Sequence, residues 1–207
     1  MWKYLGPLIL VTSALLLQAC APKSQDDCGF VQNVYGERIS WKGQYPITIW
    51  VHESVPQEYM GAIVAAANTW RDATGKSLFN IVTDQKVSGP LNPQKDSRNI
   101  IYFLNSWEED KSSEQARTSI YWIGDQIKEA DMRINGKFTY YWNQPGITSQ
   151  NRVSSVNIEA LIIHELGHVL GLKHKDNASS VMATYLSNNT DRVNIADTDK
   201  TALQCEY

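Results

Sequence analysis

His164-Glu165-Leu166-Gly167-His168-Val169-Leu170-Gly171-Leu172-Lys173-His174 holds three of the chain's four histidines within eleven residues. Residues four apart share a face of an α-helix, so His164 and His168 can reach one ion. Glu165 stands about 100° further round the helix, near such an ion without ligating it. That placing suits a general base acting on a metal-activated water. Gly171 can take a positive φ and end the helix, which lets the chain turn back and deliver His174 as a third ligand. Three neutral imidazoles favour Zn2+ and leave one tetrahedral position open, as a catalytic site requires. A purely structural zinc has no need of Glu165 and usually takes a fourth protein ligand.

On the N-terminal side, Ser154 to Val156 lead into the helix, with Asn157 at its N-cap. Leu161, Ile162, Leu166, Val169 and Leu170 give it an apolar surround that shields the metal and fixes the ligand rotamers. Further upstream, residues 46–51 alternate as a strand does, and Leu78 to Val82 and Asn99 to Leu104 read as two more. Thr118 to Ile123 and Gln126 to Asn135 form a hairpin around Gly124-Asp125. Pro56 opens a helix that runs to about Thr74. Its stripe of Tyr59, Ile63, Ala66 or Ala67 and Trp70 is core packing, and Gly75 closes it. Ser88 to Ser97, with two prolines and a glycine, reads as a loop.

On the C-terminal side, Ser180-Val181-Met182-Ala183 places a methionine eight residues after His174. The histidine motif followed by such a methionine turn resembles the metzincins, and most closely their matrixin branch. Asn157 to Ile163, Pro46 to Val51, Glu129 to Asn135 and Asp197 to Gln204 resemble that branch's approach to the motif, its first and fifth strands and its last helix. The likeness spans roughly 45–207 and is strongest over 157–182. It implies an α+β fold of the zincin type: a twisted, mixed five-stranded sheet, an active-site helix, a second long helix and a C-terminal helix. It also implies a zinc endopeptidase in which His164, His168 and His174 hold the metal and Glu165 is the base. Met182 then floors the site, and Tyr185 is either an oxyanion donor or a pocket wall. The strand Thr118 to Ile123 would edge the cleft and bind an extended peptide by strand addition. Tyr121 and Trp122 point to opposite faces of it, and either can contact substrate or pack.

The departures from the branch set further expectations. The one histidine left over is His52, so a second zinc is not expected. The family's Pro-Arg-Cys-Gly switch is absent, and the methionine turn continues Ala183-Thr184-Tyr185 without proline. Asp125, Asp131 and Asp176 are candidate ligands for Ca2+, although no EF-hand-like loop accompanies them.

Leu5 to Ala19 is an apolar run behind Lys3, too short for a comfortable membrane span and suited to a signal peptide over 1–19. Leu17-Gln18-Ala19-Cys20 resembles a bacterial lipobox with Cys20 as the acylated first mature residue. Ordinary secretory cleavage nearby is the alternative. Ala21 after the cysteine resembles the sorting signal for the outer membrane. With Cys20 acylated, Cys28 and Cys205 remain of the three cysteines, and an oxidising compartment allows them to pair. Matrixins pack the N-terminal segment near the last helix, in agreement with that pairing. The rival reading makes Cys28-Gly29 a switch on the zinc.

Residues 20–44 read as a tether and 45–207 as one catalytic domain. The hydrophobic share of 43% and charged share of 20% are ordinary for a globular chain. A net charge of −3 without a basic patch argues against nucleic acid as a partner. The expected partners are a protein or peptide substrate and a membrane reached through Cys20, with the chain a monomer in the bacterial envelope. A surface lipoprotein that binds through the same fold without turnover is the alternative; the intact set His164, Glu165, His168, Gly171 and His174 speaks against it.

Overall fold

A computed structural model describes residues 24–142 and 152–207. The expected signal peptide and Cys20 lie outside the described residues. The main sheet has five strands: β1 (Ile47–Val51), β2 (Phe79–Ile81), β3 (Asn99–Leu104), β4 (Ala116–Ile123) and β5 (Gln126–Asn135). Their order across the sheet is β2-β1-β3-β5-β4, and β4 alone runs antiparallel to its neighbour. The hairpin expected at Gly124-Asp125 joins β4 to β5, and Gly124 takes the positive φ of +64° that the tight turn needs. Because β4 is outermost, its outer backbone edge is left without a strand partner among the described residues.

Residues of β3 alternate between two apolar layers. Ile101 belongs to the main core, while Ile100, Tyr102 and Leu104 join Trp107 on the opposite face. A strand covered on both faces reads as the near-continuous apolar run seen here. The main core lies between the sheet and two helices, α1 (Met60–Thr74) and α2 (Ile158–Val169). Trp70 of α1 is fully buried, and its Nε1 donates to Ile163 O of α2 at 3.0 Å. That bond satisfies the indole and fixes the height of the motif helix against α1. Gly75 ends α1 in the left-handed conformation, as its position predicts. A short third helix, α3 (Asp197–Leu203), closes the chain.

One expectation is corrected. Residues 20–44 are not a tether throughout: Phe30, Ile39 and Trp41 are buried in the main core. Trp41 Nε1 donates to Val169 O at 2.8 Å, and Val31 N donates to Gly171 O at 2.9 Å, so this segment backs the end of α2. Polar Lys23 to Asp27 conceal it in the sequence, because apolar residues at irregular spacing carry no period. Cys28 and Cys205 are joined by a disulfide with Cα atoms 6.5 Å apart, which ties this segment to the chain end. Cys28 is therefore not free to act as a switch on the metal. Arg38, Ser40 and Lys42 all donate to the Glu206 carboxylate beside it.

The calcium candidates are not gathered. Asp125 pairs with Lys42, Asp176 is exposed, and Asp131 is buried under the sheet's other face. Burial pushes the Asp131 carboxyl up to about 7; the Ile100 N–H opposes this, while Glu129 and Asp96 add to it. Its Oδ2 has no hydrogen-bond partner among the described residues. The ordinary value is 3.8, so the folded chain holds this proton where the unfolded chain releases it. The stabilisation by the neutral acid is complete below about pH 4 and is lost as pH rises toward 7. Asp131→Asn keeps an uncharged group in place. Its stability relative to the parent should rise between pH 5 and pH 8, read as the shift in urea midpoint. A pH-independent difference would refute the assignment.

Candidate active site

Helix α2 begins where Asn157 caps it, its side chain accepting from Ala160 N at 3.1 Å. The helical period then puts His164 and His168 on one face. Val169 ends the helix, and Gly171 at φ +96° turns the chain back. A Cβ at Gly171 would also meet Ile39 O at 2.3 Å, so the position excludes other residues on two counts. The turn delivers His174. The three Nε2 atoms lie 3.1, 3.1 and 3.3 Å apart.

The protonation of the rings follows from their other nitrogens. His164 Nδ1 donates to Val181 O and His168 Nδ1 to Leu172 O, each at 2.7 Å. A carbonyl only accepts, so in each ring the proton sits on Nδ1 and the lone pair on Nε2. Burial lowers the pKa of His164 to about 3, with His168 adding to the effect, and burial also lowers His168 and His174. Neutral imidazoles with lone pairs facing one another repel unless a cation lies between them. Zinc bound at ~2.0–2.1 Å in tetrahedral geometry spaces its nitrogens by about 3.3 Å, so the three rings fit that ion. Among the described residues they are the one group of His, Cys, Asp or Glu close enough to share a metal. His52 is apart from it, buried, with Nε2 at 3.3 Å from Gly89 O.

Glu165 is 3% exposed, and its Oε2 accepts from Thr118 Oγ1 on β4 at 2.5 Å. Burial pushes its carboxyl up to about 7, and the Thr118 hydrogen bond opposes the shift. A carboxyl poised there can hold or release a proton near neutrality. Glu165 and the three histidines line a cleft of about 520 Å³, bordered by Ala116 to Thr118 of β4 on one side and Ala183 to Leu186 on another.

A sequence model of the matrixin family matches residues 27–207. The chain belongs to the matrixin family. Among curated proteins, it is 30% identical over 78 residues to Metalloendoproteinase 1 of Glycine max. That match takes in 37% of this chain and 26% of the relative. It is 33% identical over 55 residues to a candidate matrix metalloproteinase of Trichoplusia ni ascovirus 2c, over 27% of this chain and 11% of the relative. The chain thus aligns with about a quarter or less of the length of either relative. Matrixins are zinc-dependent metallopeptidases, and the sheet and helices described above are those of the metzincin fold.

In this matrixin Met182 is fully buried beneath the ligands. A Cβ added to Gly167, between the two helix histidines, would meet its Sδ at 2.2 Å. The glycine therefore lets the methionine turn approach the helix closely, a role the motif does not reveal. Tyr185 lines the cleft but is 83% exposed, so it stands at the rim. Neither Tyr121 nor Trp122 is among the cleft-lining residues; both line a separate hollow with Lys95, Lys128 and Glu129. Two groups at the site escape a reading of the sequence. Thr118 reaches Glu165 from 47 residues away. Asp199 of α3 is buried and accepts from Ser180 Oγ at 2.5 Å and Val181 N at 2.9 Å. A buried aspartate in a short helix's first turn looks in sequence like an ordinary dipole partner.

Proposed function

We propose that the chain is a zinc endopeptidase that hydrolyses peptide bonds of protein substrates in the bacterial cell envelope or outside the cell. The observation that carries this reading is the opening of Glu165 and three inward-facing imidazole nitrogens into one cleft edged by the outermost strand of the sheet. His164, His168 and His174 would hold the metal, which when bound supplies Lewis-acid chemistry and makes water acidic.

The remaining work falls to the chain. An extended substrate pairs with the outer edge of β4, which presents its backbone in register and places a peptide bond over Glu165. Glu165 takes a proton from the attacking water and returns it to the departing amine, so the carboxyl ends as it began. Thr118 holds the carboxyl toward the cleft. The backbone carbonyls of Val181 and Leu172 keep the two helix imidazoles in the ligating tautomer. Acylation at Cys20, after removal of residues 1–19, would tether the domain to the outer membrane; the lipobox-like Leu17 to Cys20 supports that localisation.

The test uses a chain beginning at Ser24, which retains every described element and the disulfide. Cleavage of a diverse peptide library should vanish on removal of zinc by a chelator and return on adding zinc back. Cleavage that persists at full rate after zinc is stripped would overturn the reading.

A further inference from the structure

Seven large hydrophobic side chains are exposed among the described residues, and four of them sit on two adjoining turns. Val34 is 92% exposed and Tyr35 63%; Ile123 is 73% exposed and Trp122 44%. Val34 and Tyr35 occupy the middle of a turn closed by Gly36 N donating to Asn33 O at 3.0 Å. Trp122 and Ile123 end β4 at the Gly124-Asp125 turn. The Asn33 side chain joins the two turns, with Nδ2 donating to Gly124 O at 3.1 Å. Its Oδ1 also accepts from Tyr35 N and Glu37 N, each at 3.0 Å. The apolar side chains are thus held outward by a hydrogen-bonded frame. Turn tips ordinarily carry Gly, Asn, Asp or Ser, so apolar residues clustered there mark a contact surface.

The start of the described chain lies at this end. Gln25 N donates to Gly36 O at 2.9 Å, and Gln32 Nε2 donates to Gln25 O at 2.8 Å. The described chain, from Ser24 on, therefore starts beside the turn that carries Val34 and Tyr35. Cys20 lies four residues before Ser24, a reach of at most about 14 Å. Tyr and Trp favour the membrane–water interface, where an apolar ring and a polar tip are both satisfied. Lys95 and Lys128 line the hollow beside Trp122, where they can meet lipid phosphates.

We propose that this end is a lipid-docking surface, with Val34, Tyr35, Trp122 and Ile123 inserting at the headgroup boundary of a bilayer. The surface rests on its own exposure; its alignment with an acyl chain rests on the Cys20 reading above. Docking also fixes the reach of the site. Thr118 and Ile123 are five residues apart along β4, about 17 Å at strand rise. The cleft would stand no more than one strand length from the lipid, within reach of membrane-attached proteins and the segments that leave the bilayer.

The experiment mixes the chain beginning at Ser24 with vesicles of phosphatidylethanolamine and phosphatidylglycerol. It compares the parent with a variant carrying Val34→Ser, Tyr35→Ser, Trp122→Ser and Ile123→Ser. The parent should co-sediment with vesicles, and the variant should partition at least tenfold more weakly; a chain carrying Val34→Ser and Tyr35→Ser alone, which leaves β4 untouched, should also partition more weakly while cleaving soluble peptides as the parent does. Brominated lipids should quench the parent's fluorescence more than that of a Trp122→Phe chain. Equal partitioning of parent and quadruple variant would overturn the proposal. So would a parent that ignores vesicles but self-associates through these residues, which would assign the surface to protein contact. Acylation plays no part in the assay, and peptide turnover is read on the same samples, so failure of docking is separable from failure of the anchor or the peptidase.

Discussion

Glu165→Ala is expected to keep its zinc and to lose peptide cleavage by a factor of about 10² to 10⁴, the usual contribution of a general acid–base group. The two effects separate because the carboxylate lies in the cleft wall without belonging to the ligand group. Removing it leaves the Nδ1 bonds of His164 and His168 to Val181 and Leu172 intact, so the tautomers that ligate persist. Proton transfer is lost. Metal content by mass spectrometry and kcat/KM on a library-derived peptide read the two quantities independently. Glu165→Gln should behave alike, because an amide fits the cavity and still accepts from Thr118 but takes no proton. Undiminished turnover in either variant would remove Glu165 from its role, and zinc loss in both would make it a structural support of the ligands.

Part of this site is written locally in the sequence. The spacing of His164 and His168 is a helical repeat, and Gly171 is a backbone requirement, observed at φ +96°. The strands and helices of the core follow from alternation and from the stripe ending at Trp70. What could not be read there depends on pairs brought together by the fold. Phe30, Ile39 and Trp41 occupy core positions without any regular period, so the segment carrying them looks like a polar leader. Thr118 faces Glu165 because β4 packs beside α2, and no local pattern marks it. Gly167 is a poor residue for a helix interior by propensity alone, and Met182 packed against it gives the reason. The placing of Val34 and Tyr35 beside Trp122 and Ile123 likewise exists only in the fold, where Asn33 reaches Gly124 and Ser40 N donates to Asp125 O.

Asp199→Ala should lower stability by about 3–5 kcal/mol, since two buried hydrogen bonds to a charged acceptor are each worth about 1.5–3 kcal/mol. The loss should also reach the metal through a short relay. Asp199 Oδ2 accepts from Val181 N at 2.9 Å, and Val181 O accepts from His164 Nδ1 at 2.7 Å. Asp199 Oδ1 accepts from Ser180 Oγ, which itself accepts from Met182 N at 3.0 Å. The carboxylate therefore grips the methionine turn at two points and, through it, the first ligand. Lys175 stands on the other side with Nζ 3.8 Å from Asp199, and its backbone N donates to Met182 O at 2.9 Å, which ties in the loop after His174. With Asp199 gone, Val181 N–H is buried without a partner and the turn can shift away from His164. Zinc affinity should fall by about 10- to 100-fold, the usual cost of losing an outer support of a ligand. Ser180→Ala removes one arm of the grip and keeps the bond to Val181, so it should lose stability but hold zinc nearly as the parent does. Competition with a zinc chelator measures the affinities, and urea unfolding of the zinc-free chains measures the stabilities. Equal zinc affinity in Asp199→Ala and the parent would break the relay and leave Asp199 a support of the fold alone.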